Sequence, residues 1–205
     1  MNSQKVSITQ KMEYKKRKLL ESALALFAEK GFLNTPVRDI IDYSGFGTST
    51  FYRYFSNKED VLKTLLAEFL DQIIANVHDY HTTEESLYVR FVGTKRIVMA
   101  AFAENQQLSE IYSRVAGISE GIDTCLKDFD NKYLAFTCKN IQYGIKRGVF
   151  RDLPVVPIAY SILGIIKYTV YKWVVLKEIS KEEMIEIVLS FHESLAIGLA
   201  ATRDD

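Results

Sequence analysis

The stretch SGFGTSTFYRYFSNKED, residues 44 to 60, gathers side chains whose chemistry suits a nucleic acid. Thr48, Ser49 and Thr50 are small hydroxyl residues that can approach base edges, donate and accept hydrogen bonds, and touch a thymine methyl. Tyr52 and Tyr54 carry phenolic hydroxyls that reach phosphate oxygens, and Arg53 can pair with phosphate or with guanine. Phe51 and Phe55 lie four apart and face the other way, toward Phe27, Ile40 and Leu62. The period thus separates a buried aromatic pair from an exposed polar set.

To present that set, residues 35–55 must form two short helices joined by a glycine-containing turn, with the second helix free to enter a major groove. The first short helix reads as PVRDIIDYS, with Val37, Ile40 and Ile41 inward, Thr35 as its cap and Pro36 in its first turn. Gly45 ends it, and the second runs from Thr48 to Phe55. Before them, Leu20, Ala23, Leu24 and Phe27 recur at helical spacing from about Glu13 to Lys30, and Gly31 ends that helix. After them, Asn57 caps a long helix, residues 58–80, whose Glu59 and Asp60 suit a positive helix N-terminus.

The rest of the 205-residue chain also reads as helical, with segments near 84–105, 107–117, 122–147, 154–178 and 181–201. About nine helices are expected, and strict alternation and hairpin turns are lacking. The expected fold class is all-α. An N-terminal three-helix domain, 1–57, begins with a disordered or fraying basic arm, 1–12, and a larger helical domain spans 58–205. Formal net charge is zero, but residues 1–58 carry ten Lys/Arg against five Asp/Glu. A basic end on an acidic body suits a polyanionic partner at that end alone. Hydrophobic residues make up 48% of the chain, enough for a sizeable core.

The first residues contain no apolar run of the signal-peptide kind. The stretch 157–176 has membrane length, but Lys167 and Lys172 near its middle favour a buried helix in a soluble bundle. Cys125 and Cys138, the two cysteines, are thirteen apart, a spacing that matches neither a metal knuckle nor a redox pair. They read as reduced apolar residues of a cytoplasmic protein.

With these residues in view, TPVRDIIDYSGFGTSTFYRYFSNKEDVL resembles the DNA-binding region of the TetR (tetracycline repressor) family. Thr35, Ile40, Gly45, Thr50, Tyr52, Tyr54, Phe55, Lys58 and Glu59 match the family pattern in order and spacing. LLESALALFAEKGF resembles its first helix. Gly47 stands where the family usually has Ser or Thr as the recognition-helix cap, and Ile41 and Ser44 stand where it usually has Ala. The resemblance implies a transcriptional regulator, a repressor by family default, that binds palindromic operator DNA as a homodimer and answers to a small apolar or aromatic effector. It implies DNA-facing positions at Thr35, Arg38, Thr48, Ser49, Thr50, Tyr52, Arg53, Tyr54 and Lys58, with Thr48, Ser49 and Arg53 toward bases and Tyr52, Tyr54 and Lys58 toward backbone. Arg38 also lies four residues from Asp42, the spacing of an intrahelical ion pair.

Single helix-turn-helix units contact few base pairs, so such proteins dimerise. The last two helices offer apolar faces for a four-helix bundle, with Ile165, Thr169, Met184, Val188, Phe191 and Leu195 as expected dimer contacts. Aromatic residues are dense between the fourth and eighth helices, and Phe102, Tyr112, Tyr133, Phe136, Tyr168 and Trp173 are expected to line an effector cavity. No catalytic residues, cofactor or metal are expected. Two alternatives remain at this stage. One is a DNA-binding redox sensor that uses Cys125 and Cys138. The other is a small metal-dependent helical enzyme built on His78 and His81 with Asp79, Glu84 and Glu85, for which no third ligand has a persuasive spacing.

Overall fold

The computed structural model describes residues 2–80 and 86–200. Among them the chain forms nine α-helices: α1 Asn2–Lys30, α2 Val37–Ser44, α3 Thr48–Tyr54, α4 Lys58–Tyr80, α5 Leu87–Glu104, α6 Gln106–Arg114, α7 Glu120–Lys146, α8 Val155–Tyr171 and α9 Lys181–Leu199. The described residues contain no strand, only an isolated antiparallel bridge between Phe150 and Ala200.

Helices α1 to α3 close on a small core. Leu19, Ala23 and Phe27 of α1, Ile40 of α2 and Phe51 of α3 are buried there, with Phe55 just beyond and Leu62 of α4 beneath. The Phe51 and Phe55 rings lie 5.8 Å apart, and Phe27 meets Phe32 edge-on at 5.2 Å. Helix α1 also packs against α4 and α6, so this unit rests on the larger bundle. In that bundle α4 packs on α7, α7 on α8, and α5 on α9.

Local chemistry sets several boundaries. Asn57 Oδ1 accepts the Asp60 N–H at 2.9 Å, and the Asp60 carboxylate accepts the Ser56 N–H at 3.0 Å, so the start of α4 is capped from both sides. That bond holds the Asp60 carboxyl below its usual range. Ser180 and Glu183 form a full capping box at α9. Ser86 and Ser119 cap α5 and α7 by accepting the N–H groups of Val89 and Ile122.

Three expectations need correction. Helix α1 begins at Asn2, not Glu13, so the segment 1–12 read as a disordered or fraying arm is helical from Asn2. No glycine or proline interrupts it, and its lysines, glutamines and methionine are good helix formers. Residues 10–14 are exposed, ahead of the core that closes farther along α1. Second, α8 stops at Tyr171 and continues as a wider π-helical turn, Lys172–Leu176, ending on Lys177 at φ 57°. The Lys172 carbonyl accepts the Glu178 N–H, and the Lys172 ammonium pairs with Glu178 at 2.9 Å. Third, Thr35 does not cap α2: Pro36 holds that position, without a side-chain cap. The stretch Val155–Leu176 has the length and apolarity of a membrane span, yet it packs into the bundle through Ala159, Ile162, Ile166, Val170 and Val174. Lys167 within it pairs with Asp130 at 2.7 Å.

Candidate functional site: a nucleic-acid interface and a cavity between helices

The turn between α2 and α3 is built by glycine geometry and one serine. Gly45 ends α2 at φ 72°, a left-handed conformation that a side chain would strain. Ser44 donates its hydroxyl hydrogen to the Ile41 carbonyl at 2.8 Å and accepts the Phe46 N–H at 3.2 Å. The residue that replaces the usual alanine therefore fixes the turn as well as its packing. Gly47 then caps α3 in extended backbone, with no side chain over the helix end. The Thr50 N–H bonds the Gly47 carbonyl at 2.8 Å, and the N–H groups of Thr48 and Ser49 precede the first helical bond, where an anion is favoured.

Along α3 the expected division of faces holds except at Tyr54. Phe51 is fully buried, while Thr48, Ser49, Tyr52 and Arg53 are exposed and Thr50 is half-buried. Tyr52 stands edge-on to Phe51 at 5.3 Å, which fixes the ring while 56% of the residue stays exposed. Arg38 is exposed on α2, its Nε 3.6 Å from Asp42 Oδ2. Such an exposed pair holds an arginine loosely, worth ~0–1 kcal/mol.

Three residues expected at this surface are committed elsewhere. Thr35 is fully buried, and its hydroxyl bonds the Gly31 carbonyl at 2.9 Å and the Leu26 carbonyl at 3.3 Å. It closes the C-terminal end of α1, whose last carbonyls lack helical partners. Lys58 Nζ donates to the carbonyls of Phe32 and Leu33 at 2.8 and 3.0 Å and lies 4.7 Å from the Phe32 ring centre. It ties α4 to the loop after α1, and burial lowers its pKa. The Tyr54 hydroxyl is sealed from solvent without a hydrogen-bond partner, so it does not extend toward a phosphate as expected. Conversely, Tyr43 in the last turn of α2 is 59% exposed and escaped the sequence reading. Its position two residues beyond Ile41, on the far side of the helical wheel from it, was the available signal.

In the larger domain the expected effector residues do not surround one cavity. Phe69, Phe102, Tyr112, Phe129 and Tyr133 form a continuous file of ring contacts, with successive centroids 5.4 to 6.1 Å apart, that fills the bundle centre. Tyr112 adds a 3.4 Å hydrogen bond to Asp130. Trp173 is buried, Phe136 half-buried, and Tyr168 is exposed on α8. A cavity of about 210 Å³ lies instead between α5 and α7, lined in part by Phe91, Thr94, Lys95, Thr137, Asn140 and Phe150. Lys95 is buried at its wall, and Nζ donates to the Tyr133 hydroxyl at 3.1 Å. Burial pushes the Lys95 pKa down to about 7 and raises that of Tyr133. The sequence carried a sign of this: Lys95 falls on the inward stripe Phe91, Val98, Met99 and Phe102.

Of the expected dimer contacts, Met184 and Val188 are fully buried and Thr169 nearly so, inside the chain's own core. Ile165, Phe191 and Leu195 are half-buried. The exposed apolar residues of this region are Val156, Tyr160 and Tyr168 on α8 and Ile187 and Ile197 on α9. Helix α8 is apolar nearly all round, so period alone could not say which side faces out.

The alternatives find little support. Cys125 and Cys138 are both free on α7, and thirteen residues of helix separate them by ~20 Å, far beyond disulfide reach. Burial raises the Cys125 pKa, which disfavours its reactive thiolate. His81, Glu84 and Glu85 lie outside the described residues. Among those described, no group of three His, Cys, Asp or Glu is arranged to hold a metal.

Comparison with known proteins follows the same lines. The family model described as "Bacterial regulatory proteins, tetR family" matches residues 19–65, from within α1 into α4. A solved chain from Syntrophomonas wolfei, assigned to the TetR family of transcriptional regulators, is 56% identical, with a TM-score of 0.85 over 93% of this chain and 99% of that one. The transcriptional repressor KstR2 of Mycobacterium tuberculosis is 27% identical over 76% of this chain and 78% of its own. FadR of Bacillus subtilis, solved in complex with stearoyl-CoA, shares the fold at a TM-score of 0.77 and 22% identity, over 87% of this chain and 97% of that one. The recognition-helix geometry and the similarity along nearly the whole chain lead to one conclusion: this chain belongs to the TetR family of transcriptional regulators.

Proposed function

We propose that this chain is a repressor that binds a palindromic operator as a homodimer and releases it when a small molecule enters the larger domain. The observation that carries the reading is the division of α3. Thr48, Ser49, Tyr52 and Arg53 are exposed, and Phe51 is locked behind them at 0% exposure. In this reading Thr48, Ser49 and Arg53 read base edges, and Tyr52, Thr50 and Arg38 address the backbone. The basic start of α1 adds salt-sensitive affinity.

The homodimer reading rests on the exposed apolar residues of α8 and α9, which suit an isologous four-helix packing with a second copy. The effector reading rests on the cavity between α5 and α7 and on the stearoyl-CoA held by the related FadR, and it favours a ligand with an apolar portion. Helix α4 is the natural link. Its first residue is bonded to the loop after α1, and its body packs on α7. An effector that shifts α4 changes the spacing of two recognition helices in a dimer.

The test is titration of promoter DNA at several salt concentrations, with and without ligand. Coupling of this kind is typically ~1–3 kcal/mol and reciprocal, so operator DNA must weaken effector binding by the same factor. Identical effector affinity with and without operator would refute the release mechanism.

A further inference from the structure

We propose that Lys95 and Thr137 form a seat for the carboxylate of a small organic acid in the cavity between α5 and α7. The proposal rests on the effector-responsive reading above and specifies the ligand class.

Lys95 is 2% exposed, and its contacts are the Tyr133 hydroxyl at 3.1 Å and the faces of Phe91 and Tyr133, whose centres lie 5.7 and 5.2 Å from Nζ. Among the described residues no carboxylate pairs with it. An ammonium has three donors, and a buried charge without a counter-ion is costly. On the α9 side, His192 supplies no anion: it is fully buried, its Nδ1 is 2.6 Å from the Val188 carbonyl, and its Nε2 has no partner. Burial, with the nearby Lys95 charge, pushes its pKa down to about 3, so it stays neutral.

A second buried donor faces the same space from the opposite helix. Thr137 on α7 is 2% exposed, and its hydroxyl lies beside the Tyr133 hydroxyl without a well-formed hydrogen bond to it. A native core rarely leaves such a group unsatisfied. A carboxylate satisfies both, accepting from the ammonium on one oxygen and from the hydroxyl on the other, with the charge-assisted bond the stronger. Asn140, one turn farther along α7, adds a half-buried amide.

The remaining wall is apolar. Phe91 and Phe150 meet edge-on at 5.4 Å, and the Phe150 ring lies against α7 where a side chain on Gly144 would stand. At about 210 Å³ the cavity is below the usual span for drug-sized ligands, roughly 300–1,000 Å³. An acid carrying a short alkyl chain or one ring fits its size and lining.

The experiment is calorimetric titration of the full chain, free of DNA, with hexanoate and benzoate, and with hexanamide and benzamide as neutral matches. At least one acid is expected to bind saturably, about tenfold or more tighter than its amide. Lys95→Met, which keeps most of the length of the side chain and removes its charge, is expected to weaken that acid by about tenfold or more while leaving the helical signal and promoter binding intact. Thr137→Val guards against misfolding of the first variant and is expected to weaken the acid severalfold. Equal binding of acid and amide, no binding of either acid, or Lys95→Met binding the acid as tightly as the parent would overturn the seat and leave the cavity to water. Promoter release is read separately on the parent chain. An acid that binds through Lys95 without altering promoter affinity leaves the seat standing and removes the release mechanism.

Discussion

Replacing Thr35 by Val keeps its shape and removes the hydrogen that bonds the Gly31 and Leu26 carbonyls. The expected cost is ~1–3 kcal/mol of stability in urea unfolding, because a buried hydroxyl that bridges the end of α1 is lost. Promoter affinity of the still-folded fraction should stay near that of the parent, which separates a structural threonine from a DNA contact. Arg53→Ala should behave in the opposite way. Stability is expected to change by less than ~0.5 kcal/mol at such an exposed site. Promoter binding is expected to weaken by ~1–3 kcal/mol if a base is read, or with a shallower salt dependence if a phosphate is held. The exposure of Ser49 and Arg53 was legible because their period opposes Phe51 and Phe55. Thr35, Tyr54 and Lys58 were not, since each has a side chain equally able to meet DNA or a neighbouring carbonyl. Tertiary placement decides between them.

Elements bring a different kind of evidence. The caps at Asn57 and Ser180 were readable because an Asx or Ser side chain before an acidic first turn has one favourable use. The start of α1 was not, because good helix formers without an apolar stripe give no signal of where helix yields to coil. In the α2–α3 turn, Gly45→Ala is expected to cost ~1–2 kcal/mol in thermal unfolding. The site has room for the methyl, so the cost is the left-handed backbone alone. Between α5 and α9 the expected signature is pH dependence. Lys95 titrates near 10.5 when unfolded and at about 7 when folded, so the unfolded chain binds more protons between those values. Stability tied to Lys95 is therefore present above 10.5 and lost as pH falls toward 7. Lys95→Met lacks this dependence, so its stability advantage over the parent should shrink as pH rises from 7 to 10. Urea unfolding of both chains across that range measures it, and a constant difference would contradict a buried, depressed lysine. His192 works at the acid end: its contribution is lost as pH falls from 6.5 toward 3.

At the scale of the whole molecule, the basic end and acidic body anticipated a chain with one nucleic-acid-facing surface. The all-α architecture with a helix-turn-helix followed from periodicity, glycine placement and family resemblance. The interior of the larger domain was less legible, because aromatic density says that a core is rich in rings without saying which rings border empty space. Phe102, Tyr112 and Tyr133 went into the packed file, and the cavity opened beside Lys95 instead. If the exposed apolar residues of α8 form the interface with a second copy, the paired change Val156→Glu and Tyr160→Glu should shift the chain to monomer in sedimentation. Operator affinity should fall with it, since the second half-site is no longer held in register. A dimer of unchanged stability would move the interface elsewhere.

The expectations for promoter binding and its release depend on the exposed side of α3 sitting in a DNA groove. The most direct measurement is fluorescence anisotropy of the native promoter with the double variant Tyr52→Phe, Arg53→Ala. Both residues are exposed, so the variant should fold and associate as the parent does. The expected result is a loss of ~2–4 kcal/mol, roughly thirty- to a thousandfold in affinity, with a shallower dependence on salt. Undiminished affinity in a folded, normally assembled protein would contradict the central claim.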